Sequence, residues 1–164
     1  MHAIYTPVFS RFKWKTIVVF ALIFWLSSSL LLDLVVMPEL YSSGMMAQPD
    51  FAVAGYSIFW VFNRVELICA ALVLTGVLVL QRMPGFLHRR TAIAFSTLLL
   101  GIALTYTYVL TPEMSALGLQ LDLFNPASTV PGAMDLMHQG YWGLEVLKLV
   151  VAGALLSLNY KPAA

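Results

Sequence analysis

Four long apolar runs constrain this chain more than any other feature. They cover residues 16–37, 51–80, 91–111 and 137–158. A helix needs about 20 apolar residues to cross the hydrocarbon core of a bilayer. Backbone in lipid must satisfy its own hydrogen bonds, which leaves helices or closed barrels. The runs are continuously apolar, so they predict helices. Only 10% of residues are charged and 60% are hydrophobic. A soluble domain carries about 25% charged residues. The expected fold is therefore all-α: a single polytopic membrane domain built as a four-transmembrane-helix bundle, with the lipid bilayer as its solvent.

The run ends carry breaking signals. Pro38 and Pro112 are expected to stop the first and third helices, and Gln81-Arg82-Met83-Pro84-Gly85 closes the second. Proline lacks an N–H and disfavours helical geometry in the residue before it. The second run exceeds one span, which predicts tilt or projection beyond the interface.

Charge placement gives an orientation. Arg11, Lys13 and Lys15 precede the first run, Arg82, Arg89 and Arg90 lie between the second and third, and Lys161 follows the fourth. Glu39, Asp50, Glu113, Asp122 and Asp135 fall on the other side, without a cation among them. The positive-inside rule then places both termini and the Arg82–Arg90 loop in the cytoplasm. The first run is too long for a signal-peptide core, so a retained helix is expected. The short basic stretches flank membrane segments and suit topology better than nucleic-acid binding. Cys69 is the sole cysteine, which excludes an intramolecular disulfide and any CxxC motif.

Val36-Met37-Pro38-Glu39-Leu40 is matched by Leu110-Thr111-Pro112-Glu113-Met114, and a returning helix with an embedded glutamate follows each, Glu66 and Glu145. This suggests two hairpins forming a parallel repeat about an axis along the membrane normal. The rival account is that outward helices merely tend to end at proline.

Ionisable groups inside a span are costly and usually face the bundle interior. Here they are Asp33, Arg64, Glu66, Glu145 and Lys148, with Asn63, Thr105, Tyr106, Tyr108, Thr111 and His138 at similar depth. His138, Tyr141, Glu145 and Lys148 are spaced for one helix face. Glu145 is expected to pair with Lys148, and Arg64 with Asp33 or Glu66 across helices. Three acids against two bases leave an acid to be protonated or to hold a cation. A salt-bridge network that merely fixes helix register is the competing account.

Methionine clusters towards the outer side at Met37, Met45, Met46, Met114, Met134 and Met137. Thioether sulfur favours Cu(I), and Met134-x-x-Met137-His138 is the nearest approach to a copper site. Methionine is also a common filler of apolar gaps. His2, His88 and His138 divide between opposite sides of the membrane, which disfavours a bis-His haem. No Ser-His-Asp order, phosphate loop, HExxH or dinucleotide fingerprint is present, so the residues lean away from an enzyme.

Trp25…Asp33…Pro38, Phe62-Asn63-Arg64-Val65-Glu66, Tyr108…Thr111-Pro112 and His138…Tyr141-Trp142…Glu145…Lys148 together resemble a bacterial membrane family of unknown function, domain-of-unknown-function family 4149, which takes in proteins similar to transmembrane protein 205. The version here looks like its cyanobacterial branch. The resemblance covers residues 24–158 and implies a four-helix membrane bundle, distantly similar to copper-resistance membrane proteins and to a haem-pathway oxidase family. The first span lacks the histidine that those oxidases carry there. The resemblance assigns no activity.

These readings converge on a bundle in a bacterial inner or thylakoid membrane whose outer-half polar cluster binds a cation, copper among the candidates, or a small ligand for transport or tolerance. Asp33, Asn63, Arg64, Glu66, Tyr108, His138, Tyr141, Glu145 and Lys148 are the candidate ligand-binding residues, with Met134, Met137 and His138 for a metal. The alternative is a non-catalytic accessory or assembly subunit. Four helices are few for a complete transporter, so a homo-oligomer or a partner membrane protein is expected to complete the unit.

Overall fold

The computed structural model describes residues 5–45, 48, 51–83, 88–124 and 132–160. His2, Met46, Asp50, Pro84, Gly85 and Lys161 lie outside them. All secondary structure among the described residues is helical: α1 Tyr5–Leu31, α2 Met37–Ser42, α3 Phe51–Leu80, α4 Arg89–Thr105, α5 Thr111–Phe124 and α6 Gly132–Tyr160. Four stretches are long and apolar enough to cross a membrane: Phe12–Ser42, Val53–Leu80, Arg89–Leu117 and Met134–Leu158. The protein is an all-α membrane bundle.

The prolines do not stop the first and third spans. A π-helical turn, Leu32–Val36, joins α1 to α2 just before Pro38, and another, Tyr106–Leu110, joins α4 to α5 just before Pro112. Met37 N–H bonds to the Leu32 carbonyl and Thr111 N–H to that of Tyr106, five residues back. The wider turn absorbs the proline, whose ring would collide with the carbonyl four residues earlier and whose own donor is missing. The helix therefore passes through, with Pro38 in the first turn of α2, where its missing N–H costs least. The fourth helix likewise starts before residue 137, at Gly132, with its apolar span from Met134.

The two halves match in detail. The π turns are five residues each and stand 74 positions apart (32 to 106, 36 to 110). Val18, Leu22, Trp25, Ser29 and Leu32 are buried, and so are Ala92, Ser96, Leu99, Ala103 and Tyr106 at the same spacing. In the returning helices Glu66, Cys69 and Val73 are buried, as are Glu145, Lys148 and Ala152 at 79 positions on. The hairpins thus share one inward register.

Around the bundle, α1 contacts α3, α3 contacts α4, α4 contacts α6, and α6 returns to α1. The second and fourth spans are therefore diagonal. Gly76 allows the first two spans to approach, because a Cβ there would collide with the Val18 side chain.

The interior has two layers. Towards the end carrying Arg82, Arg89 and Arg90, the core is apolar: Val18, Leu22, Val73, Val77, Ala92, Leu99 and Leu155. Towards the end carrying Pro38 and Pro112, it is polar: Ser29, Asp33, Asn63, Glu66, Glu145 and Lys148 are all buried. The proline end also displays the exposed acids Glu39, Glu113 and Asp135.

Candidate functional site

Lys148 organises the polar layer. Its ammonium lies 2.5 Å from Glu66 Oε1, across the bundle diagonal, and 2.7 Å from Glu145 Oε2 on its own helix. All three side chains are at most 2% exposed. Lysine is suited to this reach because a compact charge rides on a long flexible stem. The Tyr106 ring stands 5.3 Å from the same ammonium, within cation–π range.

Each carboxylate has its own surroundings. Glu66 Oε1 accepts from three donors: Lys148, the Trp25 indole at 2.8 Å and the Ser29 hydroxyl at 3.3 Å. Trp25 and Ser29 are four apart on α1 and so share the face that meets α3. Glu145 Oε2 accepts from Lys148 and from the Tyr106 hydroxyl at 3.1 Å. Asp33 Oδ1 accepts from the Tyr141 hydroxyl at 3.0 Å. The Tyr106 and Tyr141 rings lie 5.1 Å apart, so the two hydroxyl donors form one wall.

Glu145 Oε1 is the exception. It is buried and accepts no hydrogen bond, although the Asp33 carboxyl lies within side-chain hydrogen-bonding reach of the Glu145 carboxyl. Two ionised carboxylates present only acceptors to one another. A buried polar atom left without a partner costs about 1–3 kcal/mol, and more for a charged group.

Towards the proline end, the Asn63 amide donates to Thr111 Oγ1 at 2.6 Å, tying the second span to α5 just beyond the π turn. Thr107 donates to its own helix at Ala103 O, 2.8 Å away.

The expected site residues therefore divide. Asp33, Asn63, Glu66, Tyr141, Glu145 and Lys148 converge in the interior. Arg64 does not join them: it is exposed, its guanidinium lies 3.3 Å from the Trp60 ring centroid, and Nη1 donates to Trp60 O at 3.0 Å. Asn63 and Glu66 take the inward positions, and one residue of helix rotation, about 100°, carries Arg64 out. Tyr108 is 69% exposed. His138 is exposed, and its Nδ1 sits 2.9 Å from the Met134 carbonyl one turn earlier. Met134 is buried and Met137 half-buried. His88 stands at the opposite, arginine-rich end. Among the described residues, no group of three or more His, Cys, Asp or Glu side chains is arranged to hold a metal.

Trp25, Ser29 and Tyr106 belong to the cluster but were not among the expected site residues. The spacing of Trp25, Ser29 and Asp33 at four-residue steps is a face signal for the first two. Tyr106 continues the stripe of Ser96, Leu99 and Ala103 at three- to four-residue steps, a face signal of the same kind.

The arrangement leaves a charge imbalance. Three buried carboxyl groups face one buried ammonium among the described residues. Insertion scales assign roughly 2.5–3.5 kcal/mol to an unneutralised charge at a helix centre. Two of them would cost about 5–7 kcal/mol, comparable with the whole stability of a typical fold. Chemically, the site can take up positive charge.

In comparisons with known proteins, no family model, no curated protein and no solved structure matches this chain.

Proposed function

We propose that this protein is a membrane-embedded cation-binding bundle, in which the polar layer takes up a positive charge from the proline end in the service of transport or tolerance. One observation carries the reading: among the described residues, three buried carboxyl groups face a single buried ammonium, with Glu145 Oε1 left unpartnered. The layering supports entry from the proline end, since the apolar core separates the cluster from the other end. Positive-inside logic turns that end outward, with both termini in the cytoplasm of a bacterial inner or thylakoid membrane. The exposed Lys13, Arg82, Arg89 and Arg90 support this orientation, set against the exposed Glu39, Glu113 and Asp135. The resemblance to the family that includes proteins similar to transmembrane protein 205 agrees with a small bundle of this kind. In the accessory-subunit reading, the cluster locks the bundle without taking up charge.

Charge-displacement recording on a solid-supported membrane tests the choice. Proteoliposomes receive jumps in proton, sodium, potassium or Cu(I) concentration. The expected result is a transient current for at least one cation, lost in Glu145→Gln and kept in Arg64→Gln. If every cation gives no current with a folded protein, the cluster is a structural lock and the accessory-subunit reading takes over.

A further inference from the structure

We propose that Asp33 and Glu145 form a proton-binding dyad, one proton held between their carboxyl groups, with Glu66 and Lys148 as its fixed counter-pair. This rests on the cation-binding reading and names both the cation and its place.

Hydrogen-bond bookkeeping separates the three carboxylates. Glu66 Oε1 already accepts from Lys148, Trp25 and Ser29. Tyr106 and Lys148 hold Glu145 Oε2 on one side, and Tyr141 holds Asp33 Oδ1 on the other. Glu145 Oε1 lacks a donor while the Asp33 carboxyl lies within reach of its side chain. Glu145 is 1% exposed, which sets the pair of carboxyls apart from bulk solvent. A proton between the two groups turns a pair of facing acceptors into one charge-assisted O–H···O⁻ bond, among the stronger hydrogen bonds proteins make. Like-charged carboxyls that share a site cannot both ionise readily, which is the logic of paired aspartates elsewhere.

The surroundings favour a proton over a metal ion. No set of three or more His, Cys, Asp or Glu ligands is assembled among the described residues. A proton needs only two. The titratable and charged groups around the dyad are Glu66 from the second span, Tyr106 from the third, and Tyr141 and Lys148 from the fourth. Arg64 lies outside, against Trp60. With the shared proton, the cluster keeps one net negative charge, spread over oxygens that accept from Trp25, Ser29, Tyr106 and Tyr141 as well as Lys148.

Asp33 is 6% exposed against 1% for Glu145, and it sits in the π turn nearest the proline end. Protons therefore reach the dyad through Asp33. Uptake forms one O–H bond at the expense of one in hydronium or water at that end, and release reverses it without any redox partner.

Infrared spectroscopy of the full chain in lipid nanodiscs, in H₂O and D₂O, tests the dyad. At neutral pH the wild type should show the C=O band of a protonated carboxylic acid, shifted in D₂O. The band should vanish in both Asp33→Asn and Glu145→Gln and survive in Glu66→Gln. Trp25→Phe is the second control, should Glu66→Gln fail to fold, and it too should keep the band. A band that persists in folded Asp33→Asn or Glu145→Gln overturns the dyad. A wild type without the band, but with metal-ion currents in the charge-displacement assay, also overturns it while leaving cation binding standing. Absence of both band and currents removes both proposals.

Discussion

Replacing Lys148 by methionine keeps most of the side-chain length and removes the ammonium, so it isolates what that charge contributes. Two contacts disappear, to Glu66 Oε1 at 2.5 Å and to Glu145 Oε2 at 2.7 Å. An ordinary interhelical hydrogen bond in a membrane averages only about 0.6 kcal/mol, because the unfolded chain in lipid finds other partners. The larger effect is the uncompensated charge. Removing one partner of a buried ion pair typically costs about 3–5 kcal/mol. For a chain of this size, where each kcal/mol moves Tm by about 2–4 °C, the loss amounts to roughly 6–20 °C. The triple variant Lys148→Met with Glu66→Gln and Glu145→Gln should recover most of it, since neutral partners in the same volume no longer require a counter-charge. Thermal unfolding followed by circular dichroism in one detergent compares wild type, single and triple variants. A single-variant loss near the value of one neutral hydrogen bond, or a triple variant no better than the single, would refute the view that charge compensation holds this layer together.

Two further predictions concern the periphery and the contact of Gly76 with Val18. Gly76→Ala should destabilise by about 1–3 kcal/mol, because its Cβ meets the stiff, β-branched Val18; Val18→Ala in the same chain should restore most of the thermal stability. Tyr108→Phe and His138→Ala should each change stability by no more than about 0.5 kcal/mol, since both side chains are exposed, and Arg64→Gln should not destabilise, since its guanidinium stacks on Trp60 away from the cluster. A large loss of thermal stability in Arg64→Gln would show that the guanidinium acts on the cluster after all.

Much of the architecture is local and was therefore readable from residue order. Span count follows from hydropathy, because each helix must meet lipid on its own account. The helix of the second span runs over Phe51–Leu80 without a break. Spacing along single helices placed Glu145 with Lys148 and Asn63 with Glu66, since i,i+3 neighbours share a face whatever the rest of the fold does.

Where several helices decide together, the sequence alone falls short. Hydropathy and proline statistics indicate stops at Pro38 and Pro112, but the π turns let both helices continue. Tyr106 rather than Tyr108 enters the cluster because it continues the inward stripe of Ser96, Leu99 and Ala103. Arg64 and Lys148 carry the same charge within comparably apolar helices, yet one stacks on Trp60 outside and the other joins two glutamates inside. Residue order dictated that buried charge must be compensated. The tertiary structure chose the compensating residue, because a diagonal pairing between the second and fourth spans depends on how all four helices are rotated about their axes.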